Sequence, residues 1–229
     1  MKKLFAALAA LFGLSGASAS DEVKMVDPKT ILFSLATIND ALPALDSRHK
    51  PKPTDLILHE DDWRQFELVS RSFAEQLNAE ITDIRRIYTD KRSPAGEFGA
   101  FTEIHIRKRI PQPFKKPIAW SDFTKACPVT TVSSVSFGGA PTVIANGFSV
   151  QLHGLSIYGL RHGETITTLG FVSTQTPALP IESAERLAAF LEANDLLLIH
   201  WPSATVFTDK PTLLTYLQQK PERPPSPLK

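Results

Sequence analysis

VTTVSSVSFGGAPTVIANGFSVQLHGLSIYGLRHGETITTLGFVS, residues 129–173, decides the fold class. Val and Thr are dense in it, and turn signals recur at Gly138-Gly139, Asn146-Gly147, Gly154 and His162-Gly163. Branched residues suit a pleated surface, and short runs between turn residues pair most simply with their neighbours. The spacing predicts strands near 130–137, 148–153, 155–160 and 165–173, joined as antiparallel hairpins.

Downstream the pattern changes period. Glu182 to Ala193 carries Leu187, Phe190 and Leu191 on one side, a helical stripe. LLLIHW, residues 196–201, reads as a strand buried on both faces, and Thr205 to Phe207 extends the sheet. Thr208-Asp209-Lys210-Pro211 opens a last helix with Leu213, Leu214 and Leu217 inward. The Pro-rich end, 221–229, is expected to be disordered.

Upstream, Asp27-Pro28 reads as a helix start, followed by a stripe of Ile31, Leu35, Ile38, Leu42 and Leu45. Residues 47–54 form a polar, Pro-broken link. Trp63, Phe66, Val69, Phe73, Leu77, Ile81, Ile84 and Tyr88 recur every three or four positions. That seam predicts one amphipathic helix from Asp61 or Asp62 to about Lys91, roughly 40 Å long at about 1.5 Å per residue. Ser93-Pro94-Ala95-Gly96 ends it. Phe101 to Ile110 reads as a strand with Ile104, Ile106 and Ile110 on one face and Glu103, His105, Arg107 and Arg109 on the other. A short helix is expected over Trp120 to Ala126. The fold class is therefore α+β, a long amphipathic helix on a mainly antiparallel sheet with a C-terminal helix-strand-helix unit. Residues 20–220 form a single domain, with a subdomain seam at 111–117 if it divides.

The first residues carry an address. Lys2 and Lys3 are followed by an uncharged run, Leu4 to Leu14, and then by small residues ending in Ala17-Ser18-Ala19. These are the three parts of a cleavable signal peptide, residues 1–19. The apolar run is too short to span a bilayer, which takes about 20 residues. The expected location is periplasmic or secreted, with no stable membrane anchor. Over the whole chain Lys+Arg number 25 against 24 Asp+Glu. Loss of Lys2 and Lys3 leaves 23 against 24, a formal charge of −1, so no general attraction to nucleic acid is expected. Cys127 is the one cysteine, and an internal disulfide needs two. It reads as buried and inert.

Four strings invite a chemical reading. Arg161-His162-Gly163-Glu164-Thr165 resembles the RHG signature of the histidine phosphatase superfamily. The resemblance implies His162 as a nucleophile attacking phosphorus, Arg161 as a phosphate ligand, and His200 as a second histidine. The same residues also read as a hairpin turn, because strand-like ITTLGFV follows them where that family continues into a helix. His59-Glu60-Asp61-Asp62 gathers an imidazole and three carboxylates, and reads first as an acidic helix start. Gly154-Leu155-Ser156-Ile157-Tyr158-Gly159 is one residue too long for a nucleophile elbow. Arg107-Lys108-Arg109 is a basic run, a binding face for an acidic partner or a solvated strand face.

No cofactor and no metal are expected. The preferred function is a non-catalytic extracytoplasmic binding or interaction protein, an immunity-type protein being one form, with another extracytoplasmic protein as partner. The alternative is a phosphatase-like periplasmic hydrolase using His162 and Arg161.

Overall fold

The computed structural model describes residues 31–93, 100–128, 131–139, 142–153, 155–172 and 179–218. The leader, the Asp27-Pro28 helix start, the Pro94-Ala95-Gly96 terminator and the tail 221–229 lie outside those residues.

The hairpins predicted from residues 129–173 form the centre of an α+β fold. Strands β10 (Gly147–Leu152), β11 (Leu155–His162) and β12 (Thr165–Val172) pair antiparallel, Val150 opposite Ile157 and Ile157 opposite Phe171, with one register shift between β11 and β12 at Leu160/Arg161. β4 (Phe66–Ser70), β13 (Leu196–His200), β14 (Thr205–Phe207), β6 (Ile118–Ala119) and β7 (Val132–Ser133) complete an eight-stranded antiparallel sheet. Its order is β14-β13-β4-β12-β11-β10-β7, with β6 also on β12. A second sheet runs β2 (Leu45–Asp46), β9 (Thr142–Ile144), β8 (Val135–Phe137), β3 (Leu56–Leu58). β1 (Thr37–Asn39) and β5 (His105–Arg107) pair parallel.

Period-two alternation assigns the layers. Phe66, Leu68, Phe148, Val150, Ile157, Leu169, Phe171 and Leu198 point to one face of the large sheet. There they meet α2 (Trp120–Ala126), α3 (Ile181–Ala193) and α4 (Lys210–Gln218) through Phe123, Leu187, Phe190, Leu191, Leu213 and Leu217. The opposite face carries two separate cores. Val69, Leu197 and Ile199 meet Leu77, Ile81, Ile84 and Ile87 of α1 (Ala74–Asp90). Tyr158, with Leu160 and Val172 packed beside it, meets Trp63, Leu58, Val135, Phe137 and Ile144 of the second sheet.

Four expectations are corrected. The helix predicted from Asp61 or Asp62 to Lys91 begins only at Ala74; its 17 residues make roughly 26 Å. Glu60–Asp62 is a single 3-10 turn and Phe66–Ser70 a central strand. All five strand residues are buried, alternating between the two faces, so pairing with β12 and β13 outweighs the local helical period. The helix expected over 31–45 is instead β1, β2 and bends, because the backbone of 37–39 pairs with β5. Its stripe does not reach a core throughout, since Leu42 and Leu45 are about half exposed. The strand expected over 101–110 shrinks to His105–Arg107, and Arg107 turns inward. The strand expected near 130–137 breaks at Ser134, giving β7 to one sheet and β8 to the other, and β9 was absent from the sequence reading.

Candidate functional site

On the second face of the large sheet, a polar cluster lies where the two cores meet. It starts with one backbone turn. Trp63 is buried in the core under the second sheet, and Phe66 must begin β4. The residue between them that reverses the chain is Arg64, at φ 58, a left-handed conformation unusual for a side chain with a Cβ. Its backbone N–H donates to the Tyr158 hydroxyl at 2.7 Å. Gly170 makes room for Tyr158, since a Cβ there would lie 2.8 Å from that hydroxyl oxygen.

Side chains then interlock. Arg64 Nε donates to Glu67 Oε2, and both residues are buried. The other Glu67 oxygen accepts from Trp201 Nε1 at 2.8 Å. Arg107 is 3% exposed, and its guanidinium donates to Thr37 Oγ1 (3.0 Å), Gln65 Oε1 (3.2 Å) and the Arg64 carbonyl (3.1 Å). It also lies over the Trp201 ring, 4.8 Å from its centroid. Gln65 Nε2 donates to the carbonyls of Thr37 and Asp61, both at 2.8 Å. The cluster thereby ties β1 and β5 to the sheet.

Its charges do not balance. Two buried guanidiniums face one buried carboxylate. Burial lowers Arg107 to about 10, with Glu67 pulling the other way, so it remains a cation at neutral pH. Arg64 has its Nε committed to Glu67, while neither Nη atom has a hydrogen-bond partner among the described residues. Its side chain is 6% exposed. No buried side-chain nitrogen or oxygen among the described residues is left without a partner, so the Nη atoms belong to the small exposed remainder of Arg64, which lines a shallow cleft.

Asn39, Arg64, Glu67, Gln76, Glu80, Arg107, Lys108 and Trp201 line that cleft. It has room for about one water molecule. Glu80 is engaged by His105 Nε2 and by the Lys108 backbone N–H at 3.4 Å. Arg64 and Ile110 also wall a second hollow, where Leu42, Pro43, Trp63, Pro111 and Leu160 provide apolar surface and Arg109 a charge. The lining sets guanidinium, ammonium and amide donors beside the carboxylates of Glu67 and Glu80, and donors of these kinds are the chemistry for holding a small anion.

The residues singled out in the sequence distribute unevenly. Arg107 and Lys108 line the first hollow and Arg109 the second, so the run 107–109 does not form one solvated face. His162 is exposed at the tip of the β11–β12 hairpin, where Gly163 takes φ 59 and Asn146 Nδ2 lies 3.5 Å from its ring. Arg161 stacks on Trp120 at 4.4 Å. His200 sits three strands away on β13, at least about 14 Å at the usual strand spacing. The structure does not bring the two histidines together. Burial lowers His200 to about 4, and its ring meets Phe66 and Tyr216 while Nδ1 lies 2.6 Å from Ser203 Oγ. His59 caps the 3-10 turn by accepting from the Asp61 N–H at 3.3 Å. Ser156 is buried within β11 and accepts from Gln151. Cys127 is a buried free thiol that burial pushes up to about 12.

Sequence reading missed Arg64, Glu67 and Trp201. Arg64 and Glu67 interrupt an otherwise apolar seam, and two opposite charges inside such a run are the available signal. Comparison with protein-family models, with curated proteins and with solved structures finds no match to this chain.

Proposed function

We propose that the protein is an exported, non-catalytic binding protein that takes an anionic group of its ligand in the cleft at Arg64 and Arg107. The observation that carries the reading is Arg64, which lines the cleft with a side chain only 6% exposed and whose Nη atoms have no hydrogen-bond partner among the described residues. A cation held out of water gains most from an anion that shares its desolvated site. The backbone strain at Arg64 points the same way, because left-handed non-glycine residues concentrate where a side chain must be placed. The leader at 1–19 supports the extracytoplasmic compartment.

Nuclear magnetic resonance of the arginine Nε–Hε groups tests the site. Acetate added at constant ionic strength is expected to shift the Arg64 and Arg107 signals saturably and to leave Arg48, Arg71 and Arg186 in place. Shifts that grow linearly and equally at all arginines would overturn the proposal. The compartment is tested by recovering the protein from periplasm or medium, where its first residue is expected to be Ser20. Recovery only from cytoplasm with Met1 intact would contradict export.

A further inference from the structure

We infer that the cleft takes its anion under proton control: protonation of His105, the partner of Glu80 on the cleft wall, strengthens anion binding. This rests on the anion reading of the cleft and adds how that site is regulated.

The two carboxylates of the cleft are compensated differently. Glu67 is paired with the Arg64 guanidinium, which stays charged at any pH a folded protein meets. Glu80 of α1 is paired with His105 of β5, Nε2 to Oε2, and its other oxygen accepts from the Lys108 backbone N–H at 3.4 Å. Imidazole is the side chain whose charge ordinarily changes between about pH 5 and 8. The pair is sheltered, with 20% of the His105 side chain and 13% of the Glu80 side chain exposed, so salt screens it less than a surface pair. The contact with a carboxylate needs a hydrogen on Nε2 in both states. The extra proton is therefore gained at Nδ1, which has no hydrogen-bond partner among the described residues. Only the charge changes, and the contact stays. With His105 neutral, Arg64, Arg107 and Lys108 stand against Glu67 and Glu80, an excess of one positive charge. With His105 protonated the excess is two.

The other charged groups around His105 are engaged or lie outward. On its own segment, Glu103 is held by Arg86 and Lys91, and Arg107 by Thr37, Gln65 and the Arg64 carbonyl. Opposite His105, β1 presents Thr37, which does not titrate, and Asp40 just beyond β1 accepts from the Arg109 N–H. On α1, Asp83 is exposed three residues beyond Glu80. Glu80 is thus the carboxylate that the His105 proton offsets. Binding and protonation are reciprocal, so an anion in the cleft also favours the protonated ring.

The chain from Ser20 to Lys229 is titrated with sodium chloride at pH 7.5 and 5.5, the ionic strength being held constant with sodium gluconate. Chloride suits a cleft with room for about one water molecule, and its charge does not change with pH. The Arg64 Nε–Hε resonance reports binding. Chloride is expected to bind at least about fivefold more tightly at pH 5.5 than at pH 7.5. Saturating chloride is expected to move the titration of the His105 ring to higher pH. His105→Gln is expected to bind chloride equally at both pH values. Glu80→Gln is expected to bind it at pH 7.5 at least about threefold more tightly than the natural chain does. Should one variant fail to fold, the other and the two affinities of the natural chain decide. Equal affinity of the natural chain at both pH values, or a pH response that persists in His105→Gln, would overturn the inference while leaving the anion reading in place. No saturable shift with chloride would overturn the inference, and none with acetate either would overturn both.

Discussion

Arg64 concentrates three conflicting demands in one residue: a left-handed backbone, a buried salt bridge and a share of the cleft wall. Their contributions separate by substitution. Arg64→Ala strands the Glu67 carboxylate and is expected to lose about 3–5 kcal/mol of stability. Arg64→Gly removes the same charge but relieves the backbone, so it is expected to be about 1 kcal/mol more stable than Arg64→Ala. Urea midpoints of the two variants check the order. His200 carries the other residue-scale expectation. Its folded pKa is about 4 against an ordinary value of 6.5, so between those values the unfolded chain binds more protons. The contribution of neutral His200 is complete above about pH 6.5 and is lost as pH falls toward 4, to the extent of roughly 1–3 kcal/mol. His200→Phe is expected to flatten that part of the stability profile relative to the natural chain, as measured by unfolding at pH 7.5 and 4.5. An identical slope in both proteins would exclude His200 as its source. Neither residue's environment was legible in sequence. The partners of Arg64 and His200 include Tyr158 and Tyr216, and nothing local marks those contacts.

Among the elements, what the sequence revealed follows from where the stabilising contacts lie. The β10–β11–β12 hairpins and α3 were readable because turn residues and period repeat within a few positions. β4 was not, because its pairing partners are β12 and β13, about 100 or more residues away in sequence. Its apolar residues also continue the helical spacing of α1, so the boundary at Ala74 left no mark in the period. Packing against β12 exposes one requirement sharply. A Cβ on Gly170 would lie 2.6 Å from Tyr158 Cζ and 3.0 Å from the Phe66 carbonyl, while one on Gly163 would meet nothing within 4 Å. Tyr158 is fully buried and has no room to retreat. Gly170→Ala is therefore expected to lose about 2–3 kcal/mol, and Gly163→Ala only about 1 kcal/mol of backbone strain. Chemical denaturation of the pair checks this, and equal losses would remove the steric account of the Tyr158 seat.

Across the whole molecule, one sheet carries helices on one face and two unlike layers on the other, α1 and the second sheet. The α+β class was readable from sequence, but the insertion of β4 between β12 and β13 was not. That insertion puts Glu67 where the two layers meet, as the carboxylate that pairs with Arg64 and stabilises the charge on Arg107. The basic run 107–109 drew attention in the sequence for its charge alone; the fold divides it between two adjoining hollows. The central claim is that the Arg64–Arg107 cleft holds an anion. Anomalous diffraction from crystals soaked in bromide tests it most directly. The account expects a bromide peak within hydrogen-bonding distance of the Arg64 Nη atoms. Peaks confined to exposed lysines and arginines, with the cleft free of bromide, would contradict it.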